Sequence, residues 1–193
     1  MRRYPDFYTK QAHAQGYLAR SAFKLQEILQ DFPHVRNAER ILDLGAAPGA
    51  WSQVCLEMCP RATLVAADLN ELRFRHDRLQ FIQGNIQTTQ EELAKQGPFD
   101  LVLSDMAPAT TGLRDSDAER SLTLARLALL LARHTLSDLP QSIFVVKLYM
   151  GSDFSLFLQE VKDAFGVTRN KRPASTRKNS REIFIVAHNK RLN

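Results

Sequence analysis

Apolar and polar positions alternate in short, well-separated periods along the chain. Phe23, Leu25, Ile28, Leu29 and Phe32 recur near 3.6 residues, which predicts a helix capped by Ser21, running to about Asp31 and ended by Pro33. Arg40-Ile-Leu-Asp-Leu reads as a short buried strand before a Gly/Pro turn, and Ala50 to Met58 as the next helix, stopped by Pro60. Thr63 to Asp68 and Leu79 to Gly84 are further strands. A short helix over Glu91–Lys95 then precedes a strand from Phe99 to Asp105. The longest helix spans Asp117 to Leu136 and has an Ala/Leu-rich face. Ser142 to Lys147 is a strand and Phe154 to Phe165 a helix. Val167–Lys171 and Glu182–Ala187 close the chain as an antiparallel pair.

Strands that alternate with helices and are almost continuously apolar imply an α/β fold, a parallel sheet covered on both faces. Ligands in such sheets sit beyond the carboxyl ends of the strands. The chemistry is therefore expected at Asp43, Asp68, Asn85, Asp105 and Lys147.

Length adds that 193 residues make one domain, 1–193, at ~100–200 residues per domain. Within it lie a basic N-terminal helical segment, 1–36, packed on the core and a basic loop at about 171–181. The longest apolar stretch, Leu122 to Leu136, is broken by Arg126, Arg133 and His134, so no membrane span is expected. The N-terminus lacks the apolar region of a secretory signal. Cys55 and Cys59 read as reduced core thiols of a cytoplasmic protein, with no metal-ligand cluster.

The net charge of +5 is modest but unevenly placed. Residues 1–40 carry 7 basic and 4 acidic groups, residues 41–150 carry 10 and 13, and residues 151–193 carry 9 and 4. The basic ends are either solvated tails or parts of one phosphate-binding face.

Ile41-Leu-Asp-Leu-Gly-Ala-Ala-Pro-Gly-Ala-Trp-Ser-Gln places an acid, Asp43, at a strand end and then a glycine loop, Gly45 to Gly49, leading into a helix. Ala47 stands where a dinucleotide fingerprint has its middle glycine, and no P-loop Lys-Ser/Thr follows. A pyrophosphate cradle is disfavoured. Asp68, at the end of the next strand, can accept both hydroxyls of a ribose. A cofactor with an adenosine half and a cationic half fits, as in S-adenosyl-L-methionine.

These residues resemble the signature of the FtsJ/RrmJ family of S-adenosylmethionine-dependent RNA 2′-O-ribose methyltransferases. Gly16-Tyr-Leu-Ala-Arg-Ser-Ala-Phe-Lys-Leu, Leu103-Ser-Asp-Met-Ala-Pro, Phe144-Val-Val-Lys and Ser180-Arg-Glu-Ile-Phe-Ile-Val-Ala also match, in family order. The resemblance runs from about Asp6 to Ala187. It implies a Rossmann-like methyltransferase fold with seven strands, mostly parallel, the last antiparallel. It also implies cofactor contacts at Pro48, Gly49, Ala50, Trp51, Asp68, Asn85, Ile86 and Asp105. Asn85 departs from the Asp common in the family; its amide oxygen can still accept from an adenine amino group, by a neutral rather than a charge-assisted bond.

The resemblance further implies a Lys-Asp-Lys-Glu tetrad at Lys24, Asp105, Lys147 and Glu182. Lys147 would act on the acceptor hydroxyl as a neutral base, its pKa lowered by desolvation or by Lys24, or would orient the oxygen. The sequence leaves both open. Without the resemblance, Lys24 would read as a plain surface lysine. A phosphate-binding face would draw on Arg2, Arg3, Lys10 and Arg20 and on Lys171, Arg172, Arg177, Lys178 and Arg181, the last group in a mobile loop, with Tyr8 and Tyr17 available to stack on bases.

The acceptor that follows is RNA rather than DNA or a membrane component, foremost a uridine of 23S-type ribosomal RNA in the large subunit, methylated by a monomer. The alternatives are transfer RNA or a messenger cap, a non-catalytic ribosome-assembly factor, or a methyltransferase acting on a small molecule or protein.

Overall fold

The computed structural model describes residues 6–191. Five parallel strands come first: β1 (Arg40–Leu44), β2 (Thr63–Asp68), β3 (Leu79–Gln83), β4 (Leu101–Ser104) and β5 (Ile143–Tyr149). Two more close the chain, β6 (Phe165–Lys171) and β7 (Glu182–Lys190). The sheet order is β3-β2-β1-β4-β5-β7-β6. β7 enters between β5 and β6 and runs antiparallel to both. The seven-stranded, mostly parallel sheet thus has the Rossmann-like form expected.

Six α-helices cover it: α1 (Phe7–Ala14), α2 (Ser21–Leu29), α3 (Ala50–Met58), α4 (Ile86–Lys95), α5 (Arg114–Thr135) and α6 (Phe154–Ala164). Strand side chains alternate between faces with period 2, and the two cores follow from this. Ile41, Leu64, Leu103, Val145 and Phe184 pack with α1, α2 and α3. Leu42, Val65, Val102, Val146 and Ile185 pack with α4, α5 and α6. Among the described residues, no helix is long and apolar enough to cross a membrane.

Several boundaries move. Ser21 is the first residue of α2 rather than its cap; Arg20 holds that position and no side chain caps the end. α4 begins at Ile86, five residues earlier than the periodicity suggests, because the Asn85 side chain accepts from Gln87 N–H and caps it. α5 begins at Arg114, and Asp117 turns back instead to accept from Thr111 N–H, Thr111 Oγ1 and Gly112 N–H. The buried thiols Cys55 and Cys59 are free.

After β1 the chain moves outward to β2 and β3 and then returns to β4 on the other side of β1. The carboxyl ends of β1 and β4 therefore flank a switch point, where a crevice opens. The Asp105 N–H donates to Leu44 O across it at 3.0 Å.

Candidate active site

The period-2 alternation sets the site. Asp105 continues the face of Leu103, and Lys147 and Tyr149 continue that of Val145. Glu182 lies two residues before Phe184 on the neighbouring strand, and β5–β7 pairing puts Tyr149 opposite Glu182. All of these face α2. That helix turns Lys24 onto them: its Nζ donates to Glu182 Oε2 at 2.7 Å and lies 5.9 Å from the centre of the Phe184 ring. Lys147 Nζ donates to Asp105 Oδ1 at 2.7 Å and to Asp105 O at 2.6 Å. The four residues named from the family motif are thus brought together as two adjacent ion pairs. Lys24, read from its spacing as a plain surface residue, is buried.

Burial pushes the Lys147 ammonium down, but the Asp105 carboxylate, its hydrogen bond and the charge of Glu182 outweigh this and hold the pKa above the ordinary lysine value. Burial pushes Glu182 up, yet Lys24 and Lys147 bring it below its ordinary value. The lowering of the Lys147 pKa that base action needs is therefore absent from this arrangement. The physical reason is that two carboxylates face the two lysines.

A pocket of about 400 Å³ opens at the switch point, lined by Gly45, Ala47, Asp68, Asn85, Ile86 and Asp105 and walled by Met106, Leu124 and Leu127. Gly45 has φ +74°, and a Cβ there would lie 2.8 Å from Met106 backbone atoms, so only glycine fits the turn. Asp68 Oδ2 accepts from Ala47 N–H at 3.0 Å, and Oδ1 from Asn70 N–H at 2.7 Å. Asn70 Nδ2 donates to Oδ1 as well, at 3.1 Å, so the carboxylate is fixed at the pocket edge with one acceptor position free, on Oδ2. Asn85 Oδ1, assigned from the motif to an adenine amino group, already accepts from Gln87 N–H at 2.9 Å.

Other expected cofactor residues do not line this pocket. Asp43 is fully buried and does not reach the pocket; its Oδ2 accepts from Ser52 Oγ at 2.7 Å, and its Oδ1 has no partner. Burial raises its pKa to about 7, against the bond from Ser52 and with help from the nearby Asp105 and Asp68 charges. Pro48, Gly49, Ala50 and Trp51 form the turn into α3 and are not among the lining residues. The Trp51 indole N–H donates to Ser21 O at 2.9 Å, and its ring packs 5.9 Å from Phe184. Gly49 has φ +119°, and a Cβ there would meet Phe74 at 2.4 Å.

On the other side of the tetrad lies a cavity of about 500 Å³ lined by Lys24, Glu182, Arg20, Arg114, Arg177 and Arg181, together with Tyr149 and Asp117. Of the basic residues expected at a phosphate-binding face, Arg20, Arg177 and Arg181 reach it; Lys10, Lys171, Arg172 and Lys178 do not. Lys171 pairs with Asp31, and Arg172 donates to Ser180 O, so both are turned to other tasks. Arg2 and Arg3 lie outside the described residues. The loop expected to be mobile is tied down: Ser175 N–H donates to Glu27, and Arg177 pairs with Asp6, which also pairs with Arg20. The Thr9 N–H, with further bonds from Thr9 Oγ1 and Arg177 and the charge of Arg20, brings the Asp6 pKa to about 2 against the pull of desolvation. Tyr17 cannot stack on a base, because it is buried and its hydroxyl donates to Glu57 at 2.6 Å. Tyr8 is held between Phe23 and Arg20.

Sequence reasoning missed Arg114, Asp117 and Tyr149 at this cavity. Tyr149 could have been found, since it stands two residues beyond Lys147 on the same strand face.

The FtsJ-like methyltransferase family model matches residues 17–190. The chain is 40% identical over 188 residues to ribosomal RNA large subunit methyltransferase E of Syntrophobacter fumaroxidans, covering 94% of this chain and 93% of that one. It is 38% identical over 192 residues to the protein of the same name from Bdellovibrio bacteriovorus, covering 96% and 97%. A crystal structure described as a ribosomal RNA methyltransferase from Plasmodium falciparum superposes with a TM-score of 0.75 at 26% identity, covering 90% of this chain and 98% of the other. Human methyltransferase-like protein 13 shares the fold alone, with a TM-score of 0.62 at 13% identity over 91% and 81% of the two chains. With the family model spanning nearly the whole chain and relatives matching end to end, this chain belongs to the FtsJ-like methyltransferase family.

Proposed function

We propose that this protein transfers a methyl group from S-adenosyl-L-methionine to a ribose 2′-hydroxyl of RNA, with large-subunit ribosomal RNA as the acceptor. The observation that carries this reading is the position of the tetrad. Asp105 borders the pocket at the switch point, Lys24 and Glu182 border the cationic cavity, and Lys147 is buried between them. A donor on one side and a polyanionic acceptor on the other would meet at Lys147.

The residues at the switch point fit the cofactor. Asp68 offers a carboxylate for ribose hydroxyls, the apolar wall of Ile86, Met106, Leu124 and Leu127 suits an adenine, and the glycine turn gives close approach. When bound, S-adenosyl-L-methionine supplies an electrophilic methyl group on a sulfonium. Lys147, as an ammonium, donates a hydrogen bond to the acceptor 2′-oxygen and so turns a free lone pair toward the methyl carbon. Asp105 and Glu182 hold the two lysines in place. The Asp105 carboxylate, beside Lys147, would take up the hydroxyl proton that methyl transfer releases. Positioning of this kind is worth up to ~7–11 kcal/mol of barrier.

The names of the relatives favour large-subunit ribosomal RNA over transfer RNA or a cap, and the complete tetrad favours an enzyme over a binding factor. The test is transfer of a labelled methyl group to purified large ribosomal subunits, transfer RNA, capped messenger RNA and bulk protein. Label in the large-subunit RNA alone is expected. Label confined to another acceptor would refute the substrate assignment.

A further inference from the structure

We propose that Tyr149 is the base platform of the acceptor site, its ring stacking on the nucleobase whose ribose is methylated. The inference rests on the 2′-hydroxyl reading above and names a contact that reading does not include.

Three observations support it. Tyr149 is half-buried at the end of β5, two residues past Lys147 and on the same face, directly opposite Glu182. The i, i+2 spacing, about 7 Å along a strand, matches the reach from a base to its own 2′-oxygen. The strand end is also held rigidly: Tyr149 N–H donates to the buried Ser121 Oγ at 3.0 Å, and Met150 N–H donates to Arg181 O at 2.9 Å.

The second observation is chemical. Among the described residues, Tyr149 is the one aromatic residue lining a cavity otherwise walled by charged and polar groups. Cations suit phosphates, and only a π face suits a base irrespective of its hydrogen-bonding pattern.

The third is electrostatic. Tyr149 also borders a second recess, of about 280 Å³, where Asp115, Glu119 and Asp153 stand. Tyr149 thus borders both a space rich in arginine, which also holds Asp117 and Glu182, and an acidic one. A nucleotide entering here is oriented by charge, its phosphates drawn to the arginines and kept from the carboxylates. The base is left over the ring, with the ribose toward Lys147.

The test compares wild type with Tyr149→Phe, Tyr149→Leu and Tyr149→Ala in steady-state methylation of large ribosomal subunits, with S-adenosylhomocysteine affinity as a control for folding. Tyr149→Ala and Tyr149→Leu should raise the KM for RNA at least about fivefold, as expected for one lost stacking contact. S-adenosylhomocysteine affinity should stay within about twofold. Tyr149→Phe should restore KM to within about threefold. Leu keeps much of the buried volume, so it reads the loss of the ring even if Ala fails to fold. A wild-type KM in the Leu variant, or a Phe variant as impaired as Leu, overturns the proposal. If wild type places no methyl group on a ribose, the underlying reading fails, and this inference falls with it.

Discussion

Lys147 Nζ donates both to the Asp105 side chain, at 2.7 Å, and to the Asp105 backbone carbonyl, at 2.6 Å. One residue thus holds the lysine at two points, one of which no side-chain substitution removes. Both bonds hold the ammonium against Asp105, which itself borders the switch-point pocket. This pairing also keeps the proton on, since the carboxylate lifts the pKa against the pull of burial.

A protonated Lys147 predicts a particular pH profile. A lysine base of raised pKa would make kcat climb about tenfold per pH unit, hence about a hundredfold from pH 7 to pH 9. An orienting ammonium is already fully charged across that range, and kcat should change by less than about twofold. Single-turnover rates at saturating substrates distinguish the two. A unit slope would show that Lys147 deprotonates to act.

The second ion pair should matter to stability as well as rate. The Lys24 and Glu182 side chains are only 10% and 17% exposed, so Glu182→Gln leaves a nearly buried ammonium without its counter-charge. Breaking such a pair costs roughly 3–5 kcal/mol when fully buried, and less here with water at the edge, about 1–3 kcal/mol. The variant should melt lower and turn over at least about tenfold more slowly. Replacing both partners with Lys24→Met and Glu182→Gln should recover much of the melting temperature but none of the rate. Recovery of both would mean that the pair serves packing only.

Much of this site can be read from the strand ends. A buried strand advertises its last polar residue, and Asp68, Asp105 and Lys147 stand where apolar runs stop. Motif identity added Lys24 and Glu182. Helical spacing gives the face on which Lys24 lies but not that β7 would rise to cover it, because that contact joins residues 158 positions apart. For the same reason the anchoring of the 172–181 loop by Glu27 and Asp6 was invisible. Asp43 misled because a strand-end acid can face either the ligand or the following helix, and here Ser52 of α3 takes it. Asn85 has two competing uses, and local capping is the one its sequence neighbours do not disclose.

Asp43 makes a prediction of unusual sign. Its carboxyl has a folded-state pKa raised to about 7, above the ~3.9 of an unfolded chain. The folded state thus holds the proton more tightly. Through this group, stability is greatest below about pH 4, falls as pH rises to about 7 and is level beyond. The difference is on the order of 4 kcal/mol. Asp43→Asn keeps an acceptor for Ser52 and removes the charge. The variant should gain in melting temperature over wild type at pH 8 by several degrees, and the gain should shrink by pH 5. An equal difference at both pH values would show that Asp43 is not titrating in this range.

The cationic cavity predicts a salt response. Arg114 is exposed at the start of α5, on the cavity wall. If it contacts a phosphate, Arg114→Ala should weaken RNA binding and reduce the slope of log K against log salt by about 1. An unchanged slope would place Arg114 outside the RNA path.

The central claim is tested most directly by the chemistry of the product. Large-subunit RNA labelled by wild type and by Lys147→Ala should be digested with alkali, which cannot cleave next to a methylated 2′-oxygen. Wild type should yield its label in an alkali-resistant dinucleotide, and Lys147→Ala should yield none while binding S-adenosylhomocysteine with near-normal affinity. Label released in ordinary mononucleotides, or a dinucleotide product at wild-type rate from Lys147→Ala, would contradict it.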